Sequence, residues 1–394
     1  MGFDAEKYRL NSTAGFEKIV LVIGIAGLAI SFIGYFVNGD QFFHSYLTAY
    51  IFWLTLALGG LFAVMLHHLT GATWSVVLRR IFENIMIVLP VMALLFIPLF
   101  FGIHNLYHWS HADAVAHDHL LQQKSPYLNT PFFIIRAIAF LVIWSLFARA
   151  LYKSSLNQDA GYSENQIPRM RRISAFGMVV FALSVTYASF DWLMSLDAHW
   201  YSTIFGAYVF GGSVLGIMAL VTLICIWLRG RNTLTEEIST EHYHDLGKLT
   251  FAFAIFWAYM AFSQYFLIWY GNIPEETIFY QHRWVGSWKA VSLMIVFGHF
   301  VVPFFIMITR AAKRNLSMLG IMVVLLLLMH WVDIFWLVMP NLHHHGAHIS
   351  WMDVTATVGI GGIFLWVFLK QMRKNPIIPV NDPKLKDSIK FENI

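Results

Sequence analysis

The chain has 394 residues, of which 58% are hydrophobic and only 12% charged, with a mean hydropathy of +0.62; soluble domains carry roughly 25% charged residues, so a water-facing globule is excluded. The net charge of +4 and pI near 9.0 fit basic loops at one membrane face better than nucleic-acid binding. A single cysteine, Cys225, excludes a disulfide framework, cysteine-ligated zinc or iron–sulfur sites and a CxxCH haem attachment.

The polar N-terminal stretch leads directly into an apolar segment, which reads as an uncleaved first helix rather than a signal peptide. A spanning helix needs about 20 predominantly apolar residues. Segments that qualify run from Ile19 to Val37, Tyr46 to Leu66, Ile81 to Ile103, Pro131 to Leu151 and Ile173 to Leu196. Further segments run from Thr203 to Leu228, Leu246 to Tyr270, Trp288 to Ile308, Met318 to Met339 and Met352 to Leu369. With the N-terminus inside, all but four of the 26 Lys and Arg fall at the cytoplasmic face, the exceptions being Lys124, Arg136, Arg283 and Lys289. A missed helix would scramble this alternation, so the chain reads as an all-α polytopic membrane protein of about ten transmembrane helices with both termini cytoplasmic.

Histidine has the opposite bias. Of the 18 histidines, only His67, His68, His242, His244, His299 and His330 are not external. External histidines suit proton buffering or docking of a partner, and they equally suit ordinary polar loops. The longest outer connections are Asn105 to Thr130 and Gly271 to Ser287, so residues 1–374 form one transmembrane domain with no inserted soluble unit. Residues 375–394, with prolines and alternating charge, read as an exposed cytoplasmic tail. Gly212 and Gly216 form a small-xxx-small pair suited to close helix contact.

Ionisable residues inside spans are costly and mark candidate sites. Asp191 lies in the outer third of the fifth span. His330 and Asp333 in the ninth are three apart, hence on one helical face, and His299 in the eighth lies at similar depth. Glu83, His67 and His68 gather near the cytoplasmic ends of the second and third spans, where snorkelling is an alternative reading. Together Asp191, His299, His330, Asp333, Glu83, His67 and His68 are candidates for a proton path built of two half-paths, one open to each face. Asp191, Arg136 and Gln264 are candidates for quinol binding near the outer surface, with Tyr265 beside Gln264. The alternative is that all of these hydrogen-bond neighbouring helices and fix packing. No span carries the histidine pair of a di-haem cytochrome, although one haem between His299 and His330 is conceivable. His104, His108 and His111 have a spacing that suits weak metal binding. The chain is expected to bind neither a metal nor a redox cofactor of its own and to have no catalytic residue.

Three stretches carry a resemblance. They are Phe190-Asp191-Trp192-Leu193-Met194-Ser195-Leu196 with His199-Trp200-Tyr201-Ser202-Thr203, Phe256 to Tyr265 with Trp269 to Glu276, and His67-His68-Leu69-Thr70-Gly71-Ala72-Thr73-Trp74. Over almost its whole length the chain resembles the NrfD/PsrC-like membrane subunits of bacterial respiratory complexes, in particular the ActF type of alternative complex III. The resemblance implies two four-helix bundles, helices 2–5 and 6–9, with two peripheral helices, in a bacterial inner membrane. It implies a complex that oxidises quinol, menaquinone or another quinone, and passes electrons to partner subunits. Those partners are an ActC-like membrane subunit, which is the one usually assigned the quinol site, an iron–sulfur subunit and c-type haem subunits. A chain of this type then anchors the complex and offers a proton path without redox cofactor of its own. Two other classes stay open: a proton-coupled secondary transporter, kept alive by Pro90 and Pro98 in the third span, and a haem-bearing cytochrome.

Overall fold

The computed structural model describes residues 5–10, 14–161 and 165–392. Among these, ten helices are long and apolar enough to cross a membrane. They are α1 (Gly15–Val37), α2 (Gly39–Thr70), α3 (Val76–Phe101), α4 (Thr130–Ala160) and α5 (Gln166–Leu196), then α6 (Phe205–Gly230), α7 (Thr240–Gly271), α8 (Trp288–Met307), α9 (Leu316–Asn341) and α10 (Trp351–Lys374). The chain is thus a multi-pass helical membrane protein, and each expected span is found. Several helices run further than hydropathy indicated. The end of α4 past Leu151 and the starts of α5 and α7 are polar helical extensions, which an apolar window does not register.

Helices α2 to α5 pack in sequence and close on α2, and α6 to α9 close on α6 in the same way. These are the two expected four-helix bundles. Helices α2 and α6 pack against each other and are buried on most sides, whereas α7 and α8 leave most of their surface open. Peripheral helices α1 and α10 pair with each other and lie against α2. A Cβ on Gly362 would stand 2.4 Å from Cα of Gly24, so glycine is required where these backbones cross.

Helix α3 breaks before each of its prolines, Pro90 and Pro98. Tyr50 and Tyr46 of α2 donate to the carbonyls of Met92 (3.0 Å) and Leu95 (2.7 Å), which meets backbone groups within the broken stretch. In α8 the stretch Val296–Val301 widens to a π-helical turn. Pro303 cannot donate to the carbonyl of His299, which accounts for the interruption.

The C-terminal tail departs from expectation. Rather than standing exposed, it buries Ile377, Ile378, Val380 and Leu385 against the basic ends of the helices; its last two residues lie outside the described residues. Helix ends supply the physical reason, since their unpaired backbone groups need partners. Lys384 donates to the Gly71 carbonyl at 2.6 Å, and the Ser388 hydroxyl donates to the Trp74 carbonyl and accepts from the Val77 amide. Asn381 donates to the Asp159 carbonyl, and Asp382 pairs with Arg79 at 2.7 Å.

Candidate functional site

The carboxylates and histidines singled out in the sequence fall into three separate groups. The first is in the bundle α2–α5. Arg136 of α4 clamps Asp191 of α5 through two hydrogen bonds, Nε to Oδ2 at 2.7 Å and Nη2 to Oδ1 at 3.0 Å. The guanidinium also donates to the Tyr127 carbonyl and lies over the rings of Tyr127 (3.9 Å) and Phe132 (4.2 Å). Asp191 has no exposure, and Arg136 answers its charge. Asp191 is therefore part of a buried ion pair and stands apart from the histidines of the other bundle.

The second group lies in the bundle α6–α9. Asp333 of α9 accepts from the Tyr208 hydroxyl of α6 and from the Trp257 indole of α7 (3.2 Å). Both donors are neutral, and among the described residues no cation forms an ion pair with Asp333. One turn earlier, Nε2 of His330 meets the Thr55 hydroxyl of α2 at 2.9 Å, while that hydroxyl reaches the Phe52 carbonyl at 2.8 Å. Both contacts are satisfied when Thr55 donates to Phe52 and accepts from His330. Gly212 and Gly216 of α6 give the imidazole its space, since a Cβ on either would lie about 3.1 Å from the ring. His299 projects from the π-helical turn of α8. Its ring lies 4.0 Å from that of Trp257 and 6.4 Å from that of His330. His299 is fully buried, and neither of its nitrogens nor Nδ1 of His330 has a protein partner.

The third group is at the basic face. Glu83 is gripped by Arg79 (3.2 Å) and Arg80 (3.1 Å) and accepts from Ser155. Asp159 and Asp382 complete this buried network. His67 contacts Ser75 and Arg79, and His68 abuts His67. On α2, Thr55 and His67 are roughly 18 Å apart at 1.5 Å per residue. Every side chain between them, Leu56 to Leu66, is apolar or glycine. Helix α2 thus joins neither Glu83 nor His67 and His68 to the His330–Asp333 group.

Gln264 belongs with neither carboxylate pair. It lines a cavity of about 900 Å³ between α7 and the outer half of α8, floored by Tyr208 and Trp257. The quinol-binding candidates are accordingly divided, Asp191 and Arg136 in one bundle and Gln264 in the other. Gln264 donates to the Tyr280 hydroxyl at 3.1 Å, and its Oε1 has no protein partner. Arg283 is also buried, and its nitrogens donate to the carbonyls of Phe279, Trp336 and Leu337, two of them near the outer end of α9. Burial lowers Arg283 to about 10, which leaves it charged at neutral pH. The same burial raises the Tyr280 hydroxyl above its ordinary value.

Sequence reading missed several members of these groups. Tyr208, Trp257 and Thr55 read as ordinary span residues, and their partners lie far away in the chain. Asp353 of α10 is also fully buried and accepts from Ser45 at 2.5 Å; Ser45 accepts from Gln41, which contacts His343 at 2.7 Å. The signal present was the pattern Ser350-x-x-Asp353, which reads as a helix cap and is one. Among the described residues no group of three His, Cys, Asp or Glu is arranged to hold a metal ion; His104 and His111 instead contact Ser110 and the His104 carbonyl. Compared with models of known protein families the sequence matches none, and it matches no curated protein.

Proposed function

We propose that this multi-pass protein is a membrane subunit of a quinol-oxidising respiratory complex, which it anchors and for which it exchanges protons. The observation that carries the reading is the Asp333 group. Among the described residues, a carboxyl deep in the bundle has only the neutral donors Tyr208 and Trp257, and His330 and His299 lie close by in the same bundle. An intramembrane carboxyl without a counter-cation, in series with imidazoles, is the arrangement a proton relay requires. Buried imidazole nitrogens without protein partners are commonly met by internal water, which extends such a relay.

The resemblance of the Phe190–Leu196 and Phe256–Tyr265 stretches to NrfD/PsrC-like subunits supplies the respiratory context. Electron transfer then belongs to iron–sulfur and c-type haem subunits. The competing transporter reading calls for helices broken at corresponding places in the two halves. Here α3 is broken as the second helix of its bundle and α8 is irregular as the third of its own, so the two do not correspond.

The test is gentle detergent extraction from native membranes, followed by a redox difference spectrum and identification of the co-purifying chains. Bound c-type haem and iron–sulfur subunits support the reading. A haem-free protein without partners sinks it and leaves the transporter.

A further inference from the structure

The cavity between α7 and α8 has features that lipid-facing grooves generally lack. Helix α7 packs on the π-helical turn and the far half of α8, while the outer half of α8 packs on α9. The two helices therefore separate toward the histidine-rich face, and the gap opens between exposed side chains such as Tyr259, Phe262 and Leu293. Its volume of about 900 Å³ lies at the upper end of the range for a drug-sized ligand. The inner wall is aromatic, from Trp257, Phe300 and Trp336.

Within this apolar lining Gln264 is 4% exposed, and its amide has one end on Tyr280 and the other without a protein partner. A buried amide end left unpaired costs about 1–3 kcal/mol, a penalty removed when a ligand supplies the hydrogen bond. Gln264 sits roughly 10 Å below the end of α7 at 1.5 Å per residue, within reach of a head group sunk below the membrane surface.

The charges decide which head group. No carboxylate lines the cavity. The one cation that does, Arg283, is committed through Nε, Nη1 and Nη2 to three backbone carbonyls. Lys289 stands at the mouth, over the Trp284 ring at 5.3 Å, but no cation of the lining is free to meet a phosphate beside Gln264, so the inner site suits a neutral head that hydrogen-bonds through a carbonyl or hydroxyl. Aromatic walls favour a flat ring, since stacking on such walls adds to simple burial. The open side toward the bilayer admits an apolar tail.

We propose that this cavity binds a neutral, ring-headed isoprenoid lipid of the quinone type, with its head hydrogen-bonded by Gln264 and its ring among Trp257, Phe300 and Trp336. This deepens the respiratory reading and rests on it only for the choice of a quinone as the ring. Tyr208 and Trp257 line the cavity and both donate to Asp333, so a bound head lies one side chain from that carboxyl.

The test uses the purified full chain in nanodiscs of dioleoyl phosphatidylcholine, with a photoreactive naphthoquinone bearing two isoprene units as the probe. Cross-linked peptides are mapped by mass spectrometry, and affinity is read by competition with the unlabelled naphthoquinone. The expected result is labelling confined to the cavity lining, that is Tyr208, residues 255–301 and Trp336, and displaceable by the competitor. Gln264→Leu should weaken binding about tenfold, in keeping with loss of one buried hydrogen bond. Ala261→Trp, which fills the cavity, should abolish labelling while the elution profile and helical content stay unchanged.

Labelling elsewhere overturns the proposal, as does labelling that excess naphthoquinone fails to displace or an unchanged affinity in Gln264→Leu. Native mass spectrometry that finds a phospholipid retained by the unsubstituted chain and lost in Ala261→Trp, with no naphthoquinone binding, assigns the cavity to phospholipid and overturns it too. If Ala261→Trp fails to fold, Gln264→Leu and the labelling map still decide. Absence of redox partners in the native preparation sinks the respiratory reading without touching this test, and a negative map sinks the site with the complex intact.

Discussion

Asp191 and Asp333 each sit on the last helix of a four-helix bundle, and they differ in what answers their charge. Arg136 holds Asp191 with two short hydrogen bonds, so removing one partner strands a charge where water cannot reach it. Breaking such a buried pair costs about 3–5 kcal/mol. Arg136→Ala should accordingly lower the thermal midpoint in detergent sharply, and Arg136→Ala with Asp191→Asn should recover part of the loss. Equal stability of the double and single variants would show that the pair is not what holds α4 to α5.

Asp333→Asn has a different expectation. Its amide oxygen still accepts from Tyr208, so stability should change by no more than about 1–2 kcal/mol, while the proposed relay predicts that proton movement by the assembled complex falls. Unchanged proton stoichiometry in an assembled Asp333→Asn complex would remove this carboxyl from the path. At this scale the sequence was informative about cost and silent about pairing. Ionisable residues stand out in apolar runs, so Asp191, His299, His330 and Asp333 were all visible. That Asp191 meets Arg136 while Asp333 meets Tyr208 and Trp257 depends on how the helices are arranged, which no local pattern encodes.

At the scale of elements, hydropathy integrates over a whole turn-by-turn stretch, which is why each span could be read. Irregularities were partly legible: Pro90 and Pro98 stood out in the third span and each marks a disturbed ladder, whereas Pro303 was not singled out, and only the folded chain shows that it follows a π-helical turn under His299. The tail was misread because its apolar residues, Ile377, Ile378, Val380 and Leu385, follow no period and are interleaved with prolines and charges. Its docking yields a clear expectation. Asp382 ties the tail to Arg79, and Lys384 ties it to the end of α2. Cleavage by trypsin at Lys384 or Lys386 needs local release of the docked segment. Asp382→Ala should speed that cleavage about tenfold, if the lost contact is worth about 1.4 kcal/mol. Identical digestion rates in the two proteins would mean that the burial of Leu385 and its neighbours alone holds the tail.

Across the whole molecule the two membrane faces differ in how they hold charge. The basic face is pinned by arginine–carboxylate contacts, Arg79 and Arg80 with Glu83, Asp159 and Asp382. The histidine-rich face carries histidines outside the spans, two of them with a clear shift. His343, which contacts Gln41 of α2, is held below the ordinary histidine value of 6.5 by partial burial and by its neighbours His348 and His344. His282, at the end of the short helix Pro274–His282 before α8, is lowered as well, by partial burial first and then by Arg283 and His344, while Asp197 opposes the shift. A histidine with a depressed folded value binds fewer protons than the unfolded chain in the window between that value and 6.5. Stability therefore rises with pH across the window, and it is lost as the pH falls below 6.5. Asp118 makes no difference here. His199 holds its carboxyl below the ordinary value of 3.8, so its contribution disappears only in stronger acid. The thermal midpoint of the purified chain should thus fall between pH 7.5 and pH 5.5, with the loops 272–287 and 342–350 gaining hydrogen exchange first. His343→Gln should keep the contact to Gln41 and flatten part of the slope. A pH profile identical to that of the unsubstituted protein would assign the acid sensitivity to other groups.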